Sequence, residues 1–131
     1  MKDKLLESTT LWDFPKQNYG NVKHGNNKFN GVTPALVLWN LINRYTSEND
    51  TVLDPMCGSG TTIDVAIELN RKVVGFDIYP TREDIVQCDA RSLPLENDSI
   101  DFVFIDSPYS DNISYSDIPG CIGNISCTES R

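Results

Sequence analysis

The segment TVLDPMCGSGTTIDVAIELNRKVVGFD, residues 51–77, decides the fold. It opens on a short apolar run, breaks at Pro55 and at two glycines, continues with helical spacing, and closes on a second apolar run that ends at Asp77. Apolar run, glycine turn, helix and apolar run in that order make a βαβ unit. Strands joined by crossover helices lie parallel, and such sheets take ligands beyond the carboxyl ends of their strands. The expected fold is α/β and Rossmann-like, a mostly parallel sheet with flanking helices.

Downstream, Ile85 to Cys88 offers a short third strand. Residues 100–105, IDFVFI, form a nearly continuous apolar run of the kind a strand buried on both faces shows. The tail, residues 110–131, is polar and rich in serine and glycine; it yields no further strand, so the sheet is expected to be incomplete at its C-terminus. Upstream, Thr33-Pro34 is a helix start, with a hydroxyl to cap free N–H groups and a proline that costs nothing in a first turn. That helix should run to about Tyr45, with Leu38, Leu41, Ile42 and Tyr45 on one face and a polar turn at Glu48-Asn49-Asp50. Residues 1–32 have no sustained period and read as an irregular arm, in which Leu11 to Pro15 is an apolar cluster expected to pack. The organisation is one domain over residues 1–131: arm 1–32, βαβ core 51–109 and polar tail 110–131.

Composition bounds the function. The chain has 131 residues, 39% hydrophobic and 23% charged, which fits one globular domain. No apolar run approaches the roughly 18 residues of a membrane span, and the N-terminus lacks a secretory signal, so a cytoplasmic protein is expected. Cys57, Cys88, Cys121 and Cys127 are scattered without zinc-type spacing and read as free thiols. His24, the only histidine, rules out histidine triads and histidine metal clusters; in its polar surroundings it reads as a solvated loop residue. No metal is implied. A net charge of −8 argues against this chain alone gripping nucleic acid, because phosphate contacts need a basic surface.

The chemistry is concentrated at the strand ends. Asp54-Pro55-Met56-Cys57-Gly58-Ser59-Gly60-Thr61-Thr62 hands a buried strand to a helix, and its glycines let backbone approach a nucleotide-like ligand. It is not a phosphate-binding P-loop, having no lysine after the second glycine. Ile63 stands where the dinucleotide fingerprint has its third glycine. Another adenosine-containing ligand is favoured. Asp77 ends the second strand, where a carboxylate can accept both ribose hydroxyls; Asp89 follows the third, where it or a neighbouring amide can meet the adenine edge or cap a helix. Together Asp54, Asp77, Asp89 and Asp106 give one sheet edge four carboxylates, which suits a cationic cofactor.

Asp106-Ser107-Pro108-Tyr109 closes the fourth strand. An exocyclic amine is a poor nucleophile because its lone pair is delocalised, so a catalyst must accept its hydrogens and favour a tetrahedral nitrogen. Asp106 and a carbonyl at Ser107 or Pro108 provide the two acceptors, Pro108 fixes the turn, and Tyr109 stacks on the base.

These segments, from about Leu11 to Tyr115, resemble the DNA amino-methyltransferases that form N6-methyladenine or N4-methylcytosine, often beside a restriction enzyme. The resemblance implies that Asp54, Pro55, Gly58, Ser59, Gly60 and Thr61 bind S-adenosylmethionine, that Asp77 holds its ribose, and that Asp89 with Ala90 recognises its adenine. Phe14, Pro15 and the helix beginning at Thr33 would complete that pocket. Asp106 to Tyr109 would be the catalytic tetrapeptide, with Ser107 in place of the usual first proline; the leading Asp leans toward adenine and Ser-Pro-Tyr toward cytosine.

The family also implies DNA as partner, bound through a recognition region for which this chain has no room, or a complementary methyltransferase chain. The expected reaction is direct methyl transfer to a flipped-out base, without a covalent enzyme intermediate. Rival readings are a non-catalytic remnant or one half of a split enzyme, an RNA amino-methyltransferase, and, most distantly, an NAD-dependent dehydrogenase.

Overall fold

A computed structural model describes residues 6–26 and 32–107. Its elements are α1 (Ala35–Tyr45), β1 (Thr51–Asp54), α2 (Thr61–Glu68), β2 (Lys72–Asp77), β3 (Val86–Gln87) and β4 (Phe102–Val103). The strands form one sheet in the order β3-β2-β1-β4, and every pairing is parallel. The architecture is therefore α/β, as the βαβ pattern requires.

The register sorts the residues by face. Val52 lies between Val73 and Phe102, and Leu53 between Val74 and Val103. Successive side chains of a strand point to opposite faces, so Val52, Val73 and Phe102 share one of them. That face meets both helices: Leu38 and Ile42 of α1 and Val65 and Ala66 of α2 join Val52 in the main core, with Val73, Phe102 and Phe104 packed against it. α2 ends in a Schellman motif, with Asn70 in the left-handed conformation and Arg71 N–H donating to Ala66 O at 2.9 Å.

Several expectations need correction. The run 100–105 is not buried on both faces. β4 is the sheet's edge among the described residues; Phe102 and Phe104 turn to the helices, whereas Val103 is 48% and Ile105 53% exposed. The third strand shrinks to Val86–Gln87, paired only with Phe76 and Asp77 at the end of β2. Residues 78–85 alone return the chain from β2 to β3, with no crossover helix between them, because a return this short suffices when the strands overlap only at their ends.

Helix α1 starts where expected, yet not by the expected cap. Pro34 is the N-cap residue and makes no side-chain bond; the Gln17 carbonyl accepts the Ala35 N–H at 2.8 Å instead. Leu38 and Ile42 are buried as read, but Tyr45 is exposed and stacks on Phe102.

His24 is not solvated. It is 0% exposed, with its ring 4.2 Å from that of Tyr19 and Nε2 2.7 Å from Glu68 Oε2. The arm around it docks on α2: Tyr19 donates to Glu68 at 2.8 Å, and Gly25 N–H to Asp64 at 2.7 Å. Of the apolar cluster at the start of the arm, Trp12 and Phe14 pack on each other, and Leu11 is 88% exposed.

Candidate active site

The loop between β1 and α2 turns on glycines. Gly58 and Gly60 have φ of 52° and 84°, left-handed conformations in which a side chain is strained. Gly60 N–H donates to Cys57 O at 3.0 Å, which closes the turn directly before the first residue of α2. The loop is held from below by Asp54, which accepts from Met56 N–H at 3.1 Å and from the Thr62 hydroxyl at 2.5 Å. It is held from the side by Asp77, which accepts Gly58 N–H at 2.8 Å.

Asp54 is only 3% exposed. Burial raises its pKa to about 6, with the charges of Asp77 and Asp106 adding to the rise, while the bonds from Thr62 and Met56 oppose it. Three carboxylates thus act on one another at the carboxyl ends of β1, β2 and β4. Among the described residues none of the three is in an ion pair, and a cation placed there lowers the energy of the cluster. Cys57, also buried, has its thiol pushed up by burial and by the neighbouring carboxylates, which disfavours a thiolate nucleophile.

Asp77 ends β2 half-buried, with Oδ1 accepting Tyr79 N–H at 2.9 Å. A carboxylate has about four acceptor positions, so two backbone donors leave room for further hydroxyls. Asp89 lies just past β3, where its carboxylate is engaged by Arg91 through Nε at 3.0 Å and the backbone N–H at 2.9 Å. These bonds hold its pKa down, to about 2. No helix begins at Asp89, so it is not a helix cap. Ala90 beside it is half-buried.

Asp106, exposed, follows β4 and receives the Thr33 hydroxyl at 2.5 Å. The residue expected as a helix cap therefore spends its hydroxyl on a carboxylate 73 residues further along the chain. Ser107 is half-buried; Pro108 and Tyr109 lie outside the described residues.

The structure brings Asp54, Pro55, Gly58, Ser59, Gly60, Thr61 and Asp77 into one loop region, and Thr33 to Asp106. Phe14 rests on Trp12 and Pro15 is exposed; Gln17 of the arm reaches the loop instead, donating to Thr61 Oγ1 at 3.3 Å. Four more residues around the loop escaped sequence reasoning. Gly25 lies so close that a Cβ on it would come within 2.7 Å of Ser59 Oγ. Arg82 grips Asp64 with two nitrogens at 2.9 and 2.8 Å and covers Gly60, while the Thr81 hydroxyl donates to Gly58 O at 2.8 Å. The charge pattern DxxxE in α2 and TRED after β2 is the faint signal that pairs these segments.

The chain matches a family model described as DNA methylase over residues 1–87. It is 40% identical over 74 residues to a probable type III restriction-modification enzyme HindVI Mod subunit of Haemophilus influenzae, covering 56% of this chain and 10% of that protein. It is 32% identical over 79 residues to the type II methyltransferase M.MjaI of Methanocaldococcus jannaschii, covering 59% and 25%. With the DNA adenine methyltransferase YhdJ of Escherichia coli it shares 37% over 68 residues, covering 52% and 22%. The chain thus spans between a tenth and a quarter of the length of these relatives. No solved structure matches it.

Proposed function

The chain belongs to the DNA methylase family, and on that premise we propose that it transfers a methyl group from S-adenosylmethionine to the exocyclic amino group of adenine (N6) or cytosine (N4) in DNA. The setting is site-specific modification in the cytoplasm, alongside a restriction enzyme. The observation that carries this reading is the trio Asp54, Asp77 and Asp106 beside a left-handed glycine loop, an anionic strand edge with no ion pair to these three among the described residues.

S-adenosylmethionine, when bound, supplies an electrophilic methyl carbon on a cationic sulfur, and its ammonium adds a second positive charge. The residues fit it. Asp77 has acceptor positions for ribose hydroxyls, Gly58 and Gly60 admit close approach of backbone, and buried Asp54 gains a counter-charge. Ala90 and the backbone beside Asp89 form the rim for adenine, since the Asp89 carboxylate itself is occupied by Arg91. Asp106 accepts a hydrogen from the target amine, and the Ser107 carbonyl stands next in the chain to accept the other. Together they localise the nitrogen lone pair for in-line attack. The base is reached by flipping it out of the duplex, where Tyr109 stacks on it.

A chain with a net charge of −8 needs a basic surface from elsewhere to hold DNA, so the reading includes a recognition region or complementary methyltransferase chain as partner. Titration calorimetry with S-adenosylmethionine tests the reading. Saturable binding that is lost in Asp77→Ala is expected; a folded chain that takes up no S-adenosylmethionine overturns it.

A further inference from the structure

We infer that Thr33 is a positioning residue for Asp106, fixing one carboxylate oxygen so that the other faces the amine. The inference rests on the reading of Asp106 as the amine's acceptor. Thr33 Oγ1 donates to Asp106 Oδ2 at 2.5 Å across a sequence separation of 73 residues. Oδ1 accepts no hydrogen bond among the described residues and remains for substrate.

The donor is rigid where the acceptor is not. Asp106 is exposed and lies three residues beyond the last paired residue of β4, where the ladder no longer holds it. Left alone, a surface aspartate rotates freely between staggered rotamers. Thr33, by contrast, precedes Pro34, which confines its backbone to extended conformations, and its β-branched side chain has restricted rotamers. The turn it begins is anchored as well: Ala35, the first residue of α1, is tied to the Gln17 carbonyl at 2.8 Å, and the Gln17 side chain reaches Thr61 beside the glycine loop at 3.3 Å.

A continuous set of contacts therefore runs from the cofactor loop through Gln17 and the start of α1 to the carboxylate at the target end. The hydroxyl is also free for this task, because the helix N-terminus takes its cap from backbone. Had Thr33 capped α1, as its place before Pro34 suggests, Asp106 would have no described partner.

Thr33→Val removes the hydroxyl and keeps the shape; Thr33→Ser restores the hydroxyl. Two measurements on the full chain decide the matter. In carbon-detected NMR of the ligand-free protein, with the resonance assigned through Asp106→Asn, Thr33→Val moves the Asp106 carboxyl carbon and Thr33→Ser leaves it close to its original position. In tritium transfer from labelled S-adenosylmethionine to unmethylated genomic DNA, Thr33→Val lowers kcat about tenfold to a hundredfold, the range expected for losing a hydrogen bond to a charged group. The KM for S-adenosylmethionine stays within about twofold, and Thr33→Ser recovers most of the rate.

An unmoved Asp106 resonance overturns the inference, and so does a loss that falls on S-adenosylmethionine affinity, which would make Thr33 a cofactor ligand. A wild-type chain that binds both S-adenosylmethionine and DNA but transfers nothing overturns the catalytic reading of Asp106 and this inference with it. That failure is distinguishable because it appears without any substitution.

Discussion

The side chain of Ile63 occupies the space that any side chain on Gly75 would need: a Cβ built there would stand 2.7 Å from Ile63 Cδ1 and 2.8 Å from Cys57 Sγ. Dinucleotide-binding folds keep helix and strand close with a glycine on the helix; here Ile63 holds that helical position and the glycine is on β2. Gly75→Ala is expected to destabilise the domain by about 1–3 kcal/mol through overpacking. Ile63→Val in that background should return part of the loss by removing Cδ1. Urea unfolding of the two variants checks this, and an unchanged midpoint for Gly75→Ala would show that α2 can simply lift.

Asp54 makes stability depend on pH. Its folded pKa of about 6 lies above the ordinary 3.8, so the folded chain holds the proton more tightly than the unfolded one. The resulting stabilisation is complete below about pH 4 and is lost as pH rises through 6, amounting to roughly 3 kcal/mol. Asp54→Asn, neutral throughout, should escape that loss and gain on wild type between pH 4 and 7, while binding S-adenosylmethionine more weakly. Parallel stability curves for the two proteins across that window would refute the assignment.

Asp64 joins two straps. Its carboxylate accepts both Arg82 nitrogens and the Gly25 N–H. Removing either charge should cost about 1 kcal/mol, and Asp64→Asn with Arg82→Gln should cost clearly less than the two singles added, since both break one contact. Either single variant is expected to weaken S-adenosylmethionine binding about threefold to tenfold, because Arg82 covers Gly60. Strict additivity in the double-mutant cycle would exclude a working pair.

Replacing His24 tests the arm. His24→Ala empties a fully buried position against Tyr19 and Glu68, with an expected loss of at least about 2 kcal/mol. The exposed Lys16 and Lys23 should then be cut faster by trypsin. If cleavage and melting stay as in wild type, the arm is held by something other than this ring.

Local signals carried the centre of the molecule. The β1–α2–β2 unit is legible because proline and glycines mark the turn and apolar runs fix the strands, and Asp54 and Asp77 follow as strand ends. What escaped depends on distant partners. His24 sits in a polar stretch, and nothing near it in sequence announces Glu68, 44 residues on. Thr33 carries a local capping signal that is overridden by Asp106. The run 100–105 is as apolar as a central strand, but exposure is decided by neighbours, and no described strand pairs beyond β4.

The arm's ties to α2 reach across 39 residues at Gly25–Asp64, 44 at Gln17–Thr61 and His24–Glu68, and 49 at Tyr19–Glu68. Closing loops of that length costs entropy before any contact repays it, which slows the step that forms them. During synthesis the arm therefore leaves the ribosome well before the helix it will lie on, and stays without a mate while β1 and α2 are still being made. The wall of the glycine loop is therefore made before the loop itself and takes its place after it.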